Sequence, residues 1–119
     1  MYEPEEIQEI ICNYNQSTRS YKEIMRRFEE LSQQPQNDDL SFNYRMERMM
    51  KQIKTHKKRI LAAQMFLEND SLRAKEEITI FWKSEGLTNT QLSKVLGCSD
   101  KQVKRIFDSA CVNLSKQVN

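Results

Sequence analysis

Apolar residues recur at helical spacing along most of the chain. From residue 4 to 34, Ile7, Ile10, Ile11 and Tyr14, then Tyr21, Ile24, Met25, Phe28 and Leu31, follow steps of three and four that place them on one helical face. Pro4 suits a first helical turn, where its missing N–H breaks no bond. Glu5, Glu6 and Glu9 suit the positive end of the helix dipole. Asn13–Ser20 is rich in Asn, Ser and Thr, whose side chains compete for backbone partners. The pattern predicts two short helices, over 4–14 and 18–33. One continuous helix is the alternative, because 7, 10, 14, 17, 21, 24, 28 and 31 keep a heptad rhythm broken only by Ser17.

From Ser41 to Asn69 no Gly or Pro interrupts the chain. A helix over this stretch is about 40 Å long at ~1.5 Å per residue. Phe42, Met46, Met49, Ile53, His56, Ile60, Ala63 and Leu67 alternate steps of four and three, a coiled-coil seam, while Met50, Leu61, Met65 and Phe66 widen it. Methionine at the seam makes an adaptable, weakly specifying surface. His56 on the seam reads as an interface histidine, since no second metal ligand stands four residues away. Ile7, Ile10, Tyr14 and Phe28, with Met46, Met49, Ile53, His56 and Ile60, are therefore the candidate partner interface. Packing against the rest of the same chain is the alternative.

The stretch Gly86–Lys116 is the most informative. Thr88 with Gln91, and Ser99 with Gln102, each have capping-box spacing, so each opens a helix. Gly97 falls where the first of these helices needs a left-handed residue to stop. Leu92, Val95 and Leu96 give the first helix an apolar face; Val103, Ile106, Phe107, Ala110 and Leu114 give one to the second. Leu87 and Cys98 precede the caps as hydrophobic staples. Leu72–Glu85, through Ile78, Phe81 and Trp82, supplies a preceding helix to cover the apolar side. Two helices joined by a Gly-containing turn, the second longer and amphipathic, form a helix-turn-helix. The expected fold is all-α, divided into an N-terminal helical interaction segment (1–34), a linker containing Pro35 (35–40), a long basic middle helix (41–70) and a helix-turn-helix module (71–119).

Composition narrows the function. The chain has 119 residues, 30% of them charged and 38% hydrophobic, which is too short and too polar for a multidomain enzyme. Its two glycines stand apart, so no glycine-rich phosphate loop exists. No run approaches the ~20 apolar residues of a membrane span. The acidic N-terminus lacks a secretory pattern, and Cys12, Cys98 and Cys111 are widely spaced and odd in number, which points to reduced thiols and a cytoplasmic protein. One histidine, no metal-ligand cluster and no nucleophile–base spacing argue against an enzyme, and no cofactor is expected. Glu76 and Glu77, adjacent on a helix, point apart. The net charge of +2 hides a polarity: residues 1–40 balance at −5, 41–70 at +4, 71–85 at zero and 86–119 at +3.

A basic C-terminal part with a helix-turn-helix suits double-stranded DNA. The recognition helix, 99–117, must turn polar side chains toward base edges. Asp100, Lys101, Gln102, Lys104 and Arg105 are the candidate base contacts: Lys and Arg donate to guanine, and Gln pairs with adenine. Thr88, Thr90, Lys94 and Ser99 are the candidate phosphate contacts near helix N-termini. Asp100 and Asp108 oppose indiscriminate binding by repelling phosphate.

LTNTQLSKVLGCSDKQVKRIFDSACVNL, with LRAKEEITIFWKSEG ahead of it, resembles region 4 of sigma-70-type transcription factors over roughly the last 45 residues. The resemblance implies base contacts at Asp100, Lys101, Lys104 and Arg105. Asp100 departs from the Arg frequent in that family and leaves the target open. No region-2-like segment is present, so promoter melting is not expected. The layout is also similar to small regulators of Gram-positive phages and mobile elements, the RinA and ArpU type. The expected function is a sequence-specific transcriptional regulator that binds DNA as a dimer. Two alternatives stay open: a small-terminase-like DNA-packaging adaptor, and a protein-binding module that holds RNA polymerase or another regulator through the N-terminal helices.

Overall fold

The computed structural model describes residues 1–34 and 40–118. Among these it contains six helices and no strand: α1 (Pro4–Cys12), α2 (Tyr14–Ser32), α3 (Leu40–Leu67), α4 (Ala74–Ser84), α5 (Asn89–Leu96) and α6 (Asp100–Val118). The predicted linker lies outside the described residues, except that Leu40 already belongs to α3.

The N-terminal stripe divides into two helices, as its polar middle predicts, but the break is a single residue. Asn13 donates its side-chain amide to Glu9 O (2.9 Å) and ends α1. The second helix then starts at Tyr14, four residues ahead of the expected Thr18. Thr18 is tolerated inside it because its hydroxyl bonds back to Tyr14 O (2.9 Å).

α2 and α3 lie side by side as an arm. His56 borders a groove with Ser20, Glu23 and Ile24. The short gap between Ser32 and Leu40 allows that neighbourhood only if α3 runs antiparallel to α2. Phe28 and Leu31 of α2, and Met46, Met49, Ile53, His56 and Ile60 of α3, are half-buried. Two helices shield one stripe each but cannot enclose a core between them. The seam that suggested a second copy of the chain is thus occupied by α2 of the same chain.

The enclosed core is at the other end of α3. Ile7 and Ile11 (α1), Ala62 and Phe66 (α3), Ile80 (α4), and Phe107, Ala110, Cys111 and Leu114 (α6) form one cluster. Tyr2 stands edge-on to Phe66 with ring centroids 5.4 Å apart, Gln8 donates to Asp108 (2.7 Å), and Ser115 donates to Tyr2 O (2.8 Å). Within residues 1–34, α1 packs into this core and α2 lies along α3 in the arm. Ile7, offered as a partner contact, has no exposed surface, and Ile10 is packed against the same core. Tyr14 is half-buried at the start of α2. The long arm explains the extents of 58 × 30 × 19 Å.

α4 turns the opposite face inward from the one its apolar residues predict. Glu76, Thr79, Ile80 and Ser84 are buried, whereas Ile78 is 41% and Phe81 47% exposed. The buried polar groups are all bonded. Thr79 donates to Lys75 O (2.7 Å) and Ser84 to Phe81 O. Glu76 accepts from Arg73 N (3.3 Å), Ser109 Oγ (3.2 Å) and Asn113 Nδ2 (2.9 Å), which ties α4 to α6. Satisfied polar groups cost little to bury, so packing around Ile80 decides the orientation. Ile78, Phe81 and Trp82 instead line a cleft of about 280 Å³ beside Leu67 and Leu72.

Candidate nucleic-acid interface

Both caps read from the sequence form the bonds that their spacing requires. Thr88 Oγ1 accepts from Gln91 N (3.2 Å), and Gln91 Oε1 accepts from Thr88 N (2.9 Å). Ser99 Oγ accepts from Gln102 N (3.2 Å), and Gln102 Oε1 accepts from Ser99 N (3.0 Å). Gly97 closes α5 at φ 67° and ψ 34°, and Cys98 N returns to Ser93 O (3.1 Å). An added Cβ at Gly97 meets nothing within 4 Å, so the backbone angle and not space demands glycine there. Three residues therefore turn the chain from α5 into α6.

α6 has two unlike faces. Val103, Phe107, Ala110, Cys111 and Leu114 are buried against α1, α4 and α5. Lys101, Lys104 and Arg105 are exposed, and none of them pairs with an acid among the described residues. Inside α5 only Leu92 is fully covered; Val95, read as part of its apolar face, is 57% exposed.

No family model matches the chain, and no curated protein or solved structure matches it either.

The structure sorts the predicted contacts into two groups. Lys94, Lys101, Lys104 and Arg105 are exposed. The others are exposed too but engaged within the chain. Gln102 has its carbonyl oxygen in the Ser99 cap, and Thr88 and Ser99 have their hydroxyl oxygens in caps. Thr90 donates to Asp100 Oδ2 (2.8 Å), a bond between the two helices that spans the turn. That bond joins a residue expected on phosphate to one expected on a base. It holds the Asp100 carboxylate over the end of α5 and turns the pair into a brace. Asp108, the second acid of the helix, is held by Gln8 (2.7 Å).

One neighbourhood escaped the sequence reading. Arg73 and Lys75, at the start of α4, line a groove of about 280 Å³ together with Arg105 and Ile106. Three cations line it, with Glu76 and Ser109 among them. Residues 71–85 balance to zero charge, which hid the fact that two of their cations fall at one helix end. The signal was their position ahead of Glu76.

Burial pushes the Cys111 thiol up to about 12, with Cys12 and Asp108 acting in the same direction, so the thiol stays protonated. No group of three His, Cys, Asp or Glu among the described residues could hold a metal ion. His56 Nδ1 is buried without a hydrogen-bond partner among the described residues. No helix among them is long and apolar enough to cross a membrane.

Proposed function

We propose that this chain is a sequence-specific DNA-binding transcriptional regulator of the sigma-region-4-like kind, with the N-terminal half of α6 in the major groove. One observation carries the reading: α6 buries Val103 and Phe107 on one side and leaves Lys101, Lys104 and Arg105 exposed and without ion pairs among the described residues on the other. Cations held on a packed helix can donate to guanine edges without first breaking an internal bond. Arg73, Lys75 and Lys94 supply phosphate contacts that set the register. The Thr90–Asp100 bond links α5 to α6 across the turn. The test is an unbiased selection of duplexes followed by binding to the selected site. Lys104→Ala with Arg105→Ala weakens specific binding by about 1–3 kcal/mol for each base-reading side chain removed. Unchanged affinity for the selected site rejects the proposal.

The outward apolar face of α4 favours a second reading, a module that holds another protein such as RNA polymerase. Ile78 and Phe81 are large, apolar and nearly half exposed. Absence of DNA binding even at low salt, with a protein captured through Phe81, promotes that reading over the first.

A further inference from the structure

We infer that the outward side of α3 is a second, sequence-independent surface that binds the phosphate backbone of duplex DNA. It goes beyond the α6 reading and does not depend on it. Arg48, Lys51, Lys54 and Lys58 follow one another at steps of three and four residues on the side of α3 turned away from α2, and all are exposed. Arg45, Lys57 and Arg59, also exposed, flank them. Glu47 is the only acidic residue of the helix, and none of these cations pairs with an acid among the described residues.

The neighbouring helix shows what a surface built for solubility looks like. In α2, Arg26 pairs with Glu23 (2.8 Å) and Glu30 (2.5 Å), and Arg27 pairs with Glu23 (3.0 Å). The Arg26 hydrogen bond holds the Glu23 carboxyl below its ordinary value. α2 therefore pairs two of its four cations, Arg26 and Arg27, with its own acids, while α3, exposed to the same solvent, pairs none among the described residues. Such a row, seven cations against the single acid Glu47, repels itself until a polyanion lies along it. From Arg45 to Arg59 the row is about 21 Å long at ~1.5 Å per residue. A duplex carries about twelve phosphate charges over that length, at one per ~1.7 Å. Gln52 and Thr55 stand among the cations, and the helix's apolar stripe faces α2. Between Arg45 and Arg59 Met50 is the one large apolar residue open to solvent, with Tyr44 and Leu61 just beyond the ends, which is no continuous apolar face for a bilayer, so a nucleic-acid backbone fits the row better than a membrane surface.

The experiment compares the full chain with a variant carrying Arg48→Gln, Lys51→Gln, Lys54→Gln and Lys58→Gln. Glutamine keeps helix propensity and removes only charge. The probe is a short random-sequence duplex titrated between about 50 and 200 mM salt. The expected result is affinity at least about tenfold lower at the low-salt end. The slope of log affinity against log salt becomes shallower by about 0.9 for each phosphate no longer neutralised, up to about 3.6 for four. Unchanged affinity and slope overturn the inference. So does tighter binding of the parent chain to phosphatidylserine vesicles than to the duplex at equal salt. If the fourfold variant loses helical circular dichroism, Lys51→Gln with Lys58→Gln gives the same slope test. Lys104→Ala with Arg105→Ala, run alongside, separates the two surfaces. On the random-sequence duplex a loss confined to that variant refutes the α3 surface, and a loss confined to the α3 variant supports it, while α6 is decided at the selected site, where base contacts count.

Discussion

The orientation of α4 leads to a comparison of two adjacent residues. Ile80 is 1% exposed and sits in the core with Phe66 and Phe107, whereas Phe81 is 47% exposed at the cleft. Ile80→Ala removes buried methyl and methylene groups and leaves a cavity that α1, α3 and α6 cannot fully close. Its cost is about 3 kcal/mol, within the ~2–5 kcal/mol typical of such truncations. Phe81→Ala forfeits only about half of a phenylalanine's burial and leaves no closed cavity, so its cost is about 1 kcal/mol. At roughly 4 °C per kcal/mol for a chain of this size, the midpoints fall by about 12 °C and about 4 °C. Urea and thermal melts followed by circular dichroism at 222 nm measure both, and avoid Trp82 fluorescence, which a change at Phe81 would disturb directly. A hydrophobicity ranking alone gives the opposite order, because phenylalanine is the larger side chain. A Phe81→Ala loss equal to or greater than that of Ile80→Ala refutes the orientation and the reasoning from bonded polar groups.

Further predictions concern the turn and the buried thiol. Gly97→Ala lowers stability by about 1–2 kcal/mol from backbone strain alone, and Gly97→Asn by less, because Asn visits the left-handed region; urea midpoints of the two variants give the order. In the folded chain near neutral pH, a thiol reagent modifies Cys12, which is exposed, while Cys111 reacts only after unfolding. The folded state favours the protonated Cys111 thiol, raised from 9.0 to about 12. Its contribution to stability is therefore complete below about pH 9 and declines as pH rises from there toward 12, because only the unfolded chain releases the proton easily. Unfolding midpoints of the chain and of Cys111→Ala measured across that interval show the decline in the first and a smaller one in the second.

Local rules were readable from the sequence wherever the partners lie close along the chain. The Thr88 and Ser99 caps and the Gly97 stop depend on residues three or four positions apart, and all form as expected. Periodicity also identified which faces of α2 and α3 avoid water, but it does not name what covers them. A stripe such as Met46–Met49–Ile53 reads the same against a second copy as against Tyr21–Ile24–Phe28. α4 was misread for a different reason. Its inward face is polar by composition and becomes compatible with burial only through Ser109 and Asn113, more than thirty positions away. The Thr90–Asp100 brace and the meeting of Arg73 and Lys75 with Arg105 are likewise products of packing between helices.

The central claim is that the exposed side of α6 meets the duplex. Lysine reactivity toward an acylating reagent, read residue by residue by mass spectrometry with and without a saturating selected duplex, tests it most directly. The account predicts that Lys101 and Lys104 lose reactivity in the complex while Lys116, exposed at the far end of the same helix, keeps it. Full reactivity of Lys101 and Lys104 in the saturated complex would contradict it.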